Sequence, residues 1–448
     1  MIIVAGNPKN LRTDRSSAHR SAFPGHLASA KTSYRATLLL VVLACAATPA
    51  YTLRWRFGFY PTTLLEVTVL FSVAAFVIES WRARVWPSWP RYFTWPVLLF
   101  LLTGAISVVV APDHIKALGL YRAYIIEPIA FFVVVTNVAR TRPRALLVLA
   151  GLGFAGLLAS ALNIAAVLNA IHRDTFEVGG NSPVAIYDTP NALALFVGPL
   201  VAVAASIVTF DREQRVRALA AGFLAIAIAA MALSQSRGGY LTLATIALTL
   251  AFVHSRRKML VPLGAAALLL IALVPPVTAR LAHEVNFSDP SNTLASRLRL
   301  WAATIRLLSA HPIFGTGLSG FMASIGPYRN GQYSETLMYP HNIVLNAWTE
   351  TGLLGLIGFV WLFFIAGHNG WRGWKSGVIG WRPIELGVLI AVLAMVAHGL
   401  VDVPYWKNDL SIEFWALVGV SCAGLPFNMR ANAGIQVRGS PVTCGRQA

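Results

Sequence analysis

The chain has 448 residues, 56% of them apolar and only 12% charged, with a mean hydropathy of +0.63. Soluble domains run at about 45–50% apolar and about 25% charged, so a water-soluble enzyme and a disordered protein are both excluded. In a soluble protein the net charge of +18 would suggest a nucleic-acid partner. Here the placement of the arginines gives that charge another use, and no nucleic acid is expected. Cys45 and Cys422 lie in apolar runs and Cys444 near the end of the chain. They offer neither a disulfide framework nor a metal site.

Apolar runs bounded by charges or turn residues fall at 36–53, 62–80, 94–111, 121–138, 145–169, 190–209, 217–234, 238–254, 259–277, 342–366, 384–401 and 409–427. At about 20 residues per crossing they predict an all-α integral membrane protein with about twelve transmembrane helices. The basic residues test that count. With the N-terminal tail in the cytoplasm, the inner segments hold Arg82/Arg84/Arg91, Arg140/Arg142/Arg144, Arg212/Arg215/Arg217, Arg256/Arg257/Lys258, Arg372/Lys375/Arg382 and Arg430/Arg438/Arg446. Every inner segment thus carries its own basic cluster, as the positive-inside rule expects, and one helix more or fewer would scramble the alternation. The chain then divides into a basic cytoplasmic tail (1–35), helices one to nine (36–277), a large, partly helical extracytoplasmic loop (278–341), helices ten to twelve (342–427) and a cytoplasmic tail (428–448). Val42-Leu43-Ala44-Cys45 loosely resembles a lipoprotein cleavage site. The long polar tail ahead of it favours an uncleaved first helix.

Within the large loop, Leu294, Leu298, Trp301, Ile305 and Leu308 recur at helical spacing and form one apolar stripe. Arg299 and Arg306 project away from it, and Arg297 flanks its other edge. Two placements fit this helix: flat in the outer membrane interface, or packed on the bundle.

Three motifs carry polar chemistry. Ser234-Gln235-Ser236-Arg237-Gly238-Gly239 is a tight outer turn that opens a helix. A cation is disfavoured at a helix N-terminus, so Arg237 suits either an approaching phosphate or snorkelling into headgroups. Tyr339-Pro340-His341-Asn342 opens the tenth helix, with proline suited to a helix start and Asn342 to a cap. An imidazole at that end is expected to stay neutral and able to accept a proton from a hydroxyl; the plainer alternative is a hydrogen-bonded interfacial histidine. Gly315-Thr316-Gly317-Leu318-Ser319-Gly320 formally matches G-x-G-x-x-G. It lacks the strand–turn–helix setting of a dinucleotide site, which leaves a tight loop or a phosphate cradle. Arg122, Glu127, Arg173, His398, Asp402 and Asp409 are charged groups at the outer surface, suited to function or to salt bridges. No outer loop has metal-ligand spacing, so no metal or other cofactor is expected. No G-x-S-x-G supports a hydrolase.

Taken together, SQSRGGYLTL (234–243), RLRLWAATIRLLSAHPIFGTGLSGF (297–321) and YPHNIVLNAWTETGLLGLIGF (339–359) resemble the O-antigen ligase/polymerase superfamily, and HGLVDVPYWKNDLSIEFW (398–415) also looks familial. The resemblance is strongest over about 217–366. It implies a metal-independent, inverting membrane glycosyltransferase of the inner (plasma) membrane, with both termini cytoplasmic and an extracytoplasmic active site. The donor would be a glycan on undecaprenyl pyrophosphate, and the acceptor a sugar hydroxyl on a second lipid-linked glycan, either a lipid A core or a growing polysaccharide. By motif match Arg237 and Arg297 would bind the pyrophosphate and His341 would act at the acceptor hydroxyl. Arg306 or Arg329 would supply the further loop arginine that some members use, with Asn342 and Arg122 as further candidate contacts. A repeat polymerase of the same superfamily is the nearest alternative. A polysaccharide transporter or flippase is the competing class, but the single dominant late loop gives no sign of the paired halves common in transporters.

Overall fold

The computed structural model describes residues 34–58, 60–177, 182–256, 258–259, 292–329 and 338–424. All but the first residue of the expected ninth span (259–277), most of both tails and parts of the large loop (278–291 and 330–337) lie outside these. Among the described residues the regular structure is helical apart from one antiparallel hairpin, β1 (Arg54–Phe57) with β2 (Tyr60–Thr63), where Arg54 faces Thr63. The helices are α1 (Arg35–Ala46), α2 (Leu64–Ala83), α3 (Thr94–Val110), α4 (His114–Tyr121), α5 (Glu127–Val138), α6 (Arg142–His172), α7 (Pro190–Phe210), α8 (Gln214–Leu233) and α9 (Arg237–Val253). Beyond the undescribed stretch come α10 (Thr293–Ala310), α11 (Ile343–Ser376), α12 (Arg382–Gly399) and α13 (Asn408–Gly424). A π-helical turn, Arg122–Ile126, joins α4 to α5.

Apart from α4 and α10, these helices fall on the expected apolar runs, and among the described residues 8 spans are long and apolar enough to cross a membrane. This is an all-α membrane protein. α1 (12 residues), α9 (17) and α13 (17) are shorter. At 1.5 Å per residue α1 covers about 18 Å of a hydrocarbon layer about 30 Å thick. Local chemistry sets the helix starts: Thr63, Thr189, Ser236 and Asn342 accept first-turn N–H groups, and α6, α7 and α12 carry proline in the first turn.

α7, α12 and α13 form the centre of the bundle, and every α13 side chain from Asp409 to Ala423 is buried. Lipid tails are as apolar as leucine, so close backbone approach has to hold such helices together. A Cβ on Gly387 would lie 2.8 Å from the Val203 Cα, which shows how tightly α12 meets α7.

The contacts sort the loops onto two faces. His341 meets Asp402, the start of α9 meets the start of α7 through Ser236 and Asn191, and Gly317 abuts Ala111 at the end of α3. These ends therefore share one face. On the other, Ser88 pairs with Asn137, and Arg142 clamps Asp211, Glu213 and the Gly380 carbonyl. That second face gathers the arginine-rich connections.

α11 breaks at Gly352, where φ is 72° and ψ 179°. The glycine-rich turn fills the break. The Thr316 N–H donates to the Thr349 carbonyl (2.8 Å), the Leu353 N–H to the Ile313 carbonyl (2.9 Å) and the Ser319 N–H to Glu350 (2.6 Å). Two of the N–H groups that a phosphate cradle would need are thus spent on α11, and the turn is a packing element. α10 departs from its expected face. Leu300, Ala303 and Leu307 are buried against Phe321 and Ile325, while of the expected stripe Leu308 is buried and Leu294, Leu298 and Ile305 are exposed. The helix is apolar on two sides; one packs on protein and the other is left open.

Candidate functional site

Four helix ends meet around His341. Asn342 caps α11, its Oδ1 accepting from the Val344 and Leu345 N–H groups while its Nδ2 donates to the Leu400 carbonyl at 3.1 Å. This carboxamide, one of the candidate substrate contacts, is occupied in tying α11 to the end of α12. His341 precedes it with φ 49°, a left-handed conformation that side chains other than glycine adopt at a cost of about 1–2 kcal/mol. The turn aims His341 Nδ1 at Asp402 Oδ1, 3.3 Å away. Tyr339 stands beside the imidazole with ring centroids 4.6 Å apart.

Asp402 lies just past α12 and is almost wholly buried. Burial opposes its charge, but the His341 hydrogen bond and the His341, His398 and Arg297 charges outweigh that and hold its carboxyl below the ordinary value. It also accepts the Val403 N–H at 2.9 Å. An ionised carboxylate only accepts, so Nδ1 of His341 is the donor in this pair, and in the neutral ring that leaves the lone pair on Nε2. Burial and the neighbouring Asp402 charge both push the Tyr339 phenol up, and Arg297 partly offsets them.

Arg297 enters from α10. One turn later the Trp301 indole donates to the Pro340 carbonyl at 3.0 Å, and residues four apart share a helix face. The positive charge of Arg297 is felt at Asp402, His398 and Tyr339.

His398 links this cluster to α9. Its Nδ1 lies 3.1 Å from the Thr242 hydroxyl, which gives its own proton to the Gly238 carbonyl. A Cβ on Gly238 would sit 2.2 Å from His398 Nε2, so the residue after Arg237 has to be glycine for the imidazole to fit. Ser236 caps the same turn, accepting from the Gly239 N–H and donating to Asn191. The backbone bearing Arg237 therefore abuts the His398–Asp402–His341 group.

The other candidate arginines lie elsewhere. Arg306 donates to the Tyr328 carbonyl at 2.8 Å, and Arg329 follows the Gly326–Tyr328 turn on that side of α10. Arg122 pairs at 3.0 Å with both Glu66 and Glu127 and stacks on Tyr60. Its charge is met by carboxylates of the protein itself. Sequence reading placed Asp402 only among outer-surface charges and missed it as the partner of His341. The signal was the HGLVD segment, 61 positions further along the chain.

Residues 222–360 match the family model described as O-antigen ligase. The match spans α9, α10, Arg297 and His341, and it bears out the resemblance to the O-antigen ligase/polymerase superfamily. The match covers about a third of the chain, the part that holds Arg237, Arg297 and His341. No curated protein matches the chain.

Proposed function

We propose that the protein is an O-antigen ligase-type glycosyltransferase that moves a glycan from undecaprenyl pyrophosphate to a sugar hydroxyl on a lipid-linked acceptor. The observation that carries this reading is the Asp402–His341 pair, within the electrostatic reach of Arg297. Nε2 of His341 takes the acceptor hydroxyl proton. The freed oxygen attacks the anomeric carbon from the side opposite the leaving group, forming the new glycosidic bond with inversion. The bond from that carbon to the pyrophosphate oxygen breaks, and undecaprenyl pyrophosphate departs with the electron pair. Arg297 and Arg237 stabilise the charge that grows there, a role for fixed cations in a site shielded from water. No step calls for a metal.

The positive-inside rule, applied to the arginine-rich face, puts that face and both termini in the cytoplasm and the His341 face outside, in an inner (plasma) membrane. Purified protein given a carrier-linked glycan and a lipid A core tests the reading. Joined product that persists in EDTA is expected. Elongation of the carrier-linked glycan instead makes the protein a polymerase, and crossing of vesicles without transfer makes it a transporter. Arg237→Lys should lower transfer about tenfold or more, because an ammonium cannot make the two-pronged phosphate contact. Unchanged transfer in that variant removes Arg237 from the site.

A further inference from the structure

On the arginine-rich face, opposite His341, the last turns of α2 and the strap after it enclose a cavity of about 710 Å³. Phe76 and Val77 form its floor, and Trp81, Arg82, Arg84 and Trp86 its rim. Phe76 and Arg82 are six residues apart, which places the apolar floor about 9 Å deeper along the helix axis than the cationic rim. Trp81 and Trp86 are 78% and 92% exposed, the habit of indoles at headgroup level. No carboxylate lines the cavity among the described residues. Glu79, the acid of that turn, faces α1, where it accepts from Thr37 and the Ala36 N–H. Neither Arg82 nor Arg84 has an ion-pair partner among the described residues.

The backbone supplies a second observation. The strap folds back because Arg84 is left-handed, with φ 51° and ψ 40°, while the Val85 N–H reaches the Ser80 carbonyl at 3.1 Å. Glycine fills such a helix-ending position at no steric cost. An arginine there puts a guanidinium on the rim at the expense of backbone strain.

We propose that this cavity is a binding site for an anionic phospholipid of the adjacent leaflet. Its phosphate sits between Arg82 and Arg84, its acyl chain runs along Phe76 and Val77, and the two indoles flank the glycerol. Basic pockets beside membrane helices hold anionic headgroups in this way, and the volume lies in the range of small-molecule sites. The site uses no residue of the transfer reaction, and its test does not depend on that reaction.

The full-length protein, equilibrated in micelles with equal amounts of dioleoylphosphatidylglycerol and dioleoylphosphatidylcholine, is examined by native mass spectrometry. One preferentially retained phosphatidylglycerol is expected. Arg82→Gln with Arg84→Gln should reduce that adduct about tenfold or more. Arg84→Gly, which relaxes the turn while removing one guanidinium, should reduce it about fivefold with melting unchanged or raised. Arg212→Gln with Arg215→Gln, on the same face outside the cavity, should leave it intact. Equal retention of both lipids by the unmodified protein, full retention by the Arg82/Arg84 variants, or an equal loss in the Arg212/Arg215 variant overturns the proposal.

Discussion

Two arginine clusters on the His341 face answer the same question differently. Around Arg122 two carboxylates, Glu66 and Glu127, each lie 3.0 Å from one guanidinium, with Tyr60 stacked over it. Near Arg297, among the described residues, Asp402 is hydrogen-bonded to His341 and feels the Arg297 charge without an ion pair to it. The first cluster is closed: its guanidinium is already engaged by side chains of the protein itself, which leaves it no free hand for an arriving pyrophosphate. The second keeps cationic character and an unspent imidazole nitrogen, which is what an anionic donor and a hydroxyl acceptor require. Composition alone does not separate the two; the count of carboxylates within reach does.

Substitutions can break that contrast. His341→Ala should give the largest effect, lowering transfer by about 100- to 10,000-fold while expression and membrane insertion persist; near-normal turnover in a purified assay would discard the base. Arg297→Ala comes next, with a loss of about 100- to 1,000-fold if the guanidinium meets charge that develops as the carbon–oxygen bond breaks. Asp402→Asn should cost about 10- to 100-fold by releasing the His341 tautomer.

The same variant carries a pH signature. The Asp402 carboxyl is held below its ordinary value, and the unfolded value is about 3.9. Its contribution to stability is therefore present in full above that value and lost as pH falls through the folded one. The melting gap between the unmodified protein and Asp402→Asn should hold between about pH 5 and 7 and close in stronger acid. A gap that widens on acidification contradicts the assignment. Arg122→Ala should have the smallest effect on transfer, within about twofold per folded molecule. It should nonetheless cost about 3–5 kcal/mol of stability by leaving Glu66 and Glu127 without their cation. A transfer loss on the scale of Arg297→Ala would put Arg122 in the site after all.

The helices were legible because apolar runs and basic punctuation are set by the bilayer, an environment that acts residue by residue. Arg237, Arg297 and His341 could be picked out by their motifs. Their grouping could not, because it depends on α12 delivering Asp402 and His398 from far along the chain. The packed face of α10 was hidden for another reason. Leu300, Ala303 and Leu307 are as apolar as the stripe beside them, so periodicity offered two faces and no way to choose. The glycine-rich turn was read as either a loop or a cradle, and the break at Gly352 decides between them by claiming its N–H groups.

That break also has a mechanical consequence. Residues 343–351 form a short lever ahead of Gly352, with His341 at its tip and the 313–319 turn wedged at its fulcrum. Tilting the lever carries the imidazole and, through the Trp301 bond to Pro340, the helix that bears Arg297. The two candidate groups are thus mechanically linked through one short segment.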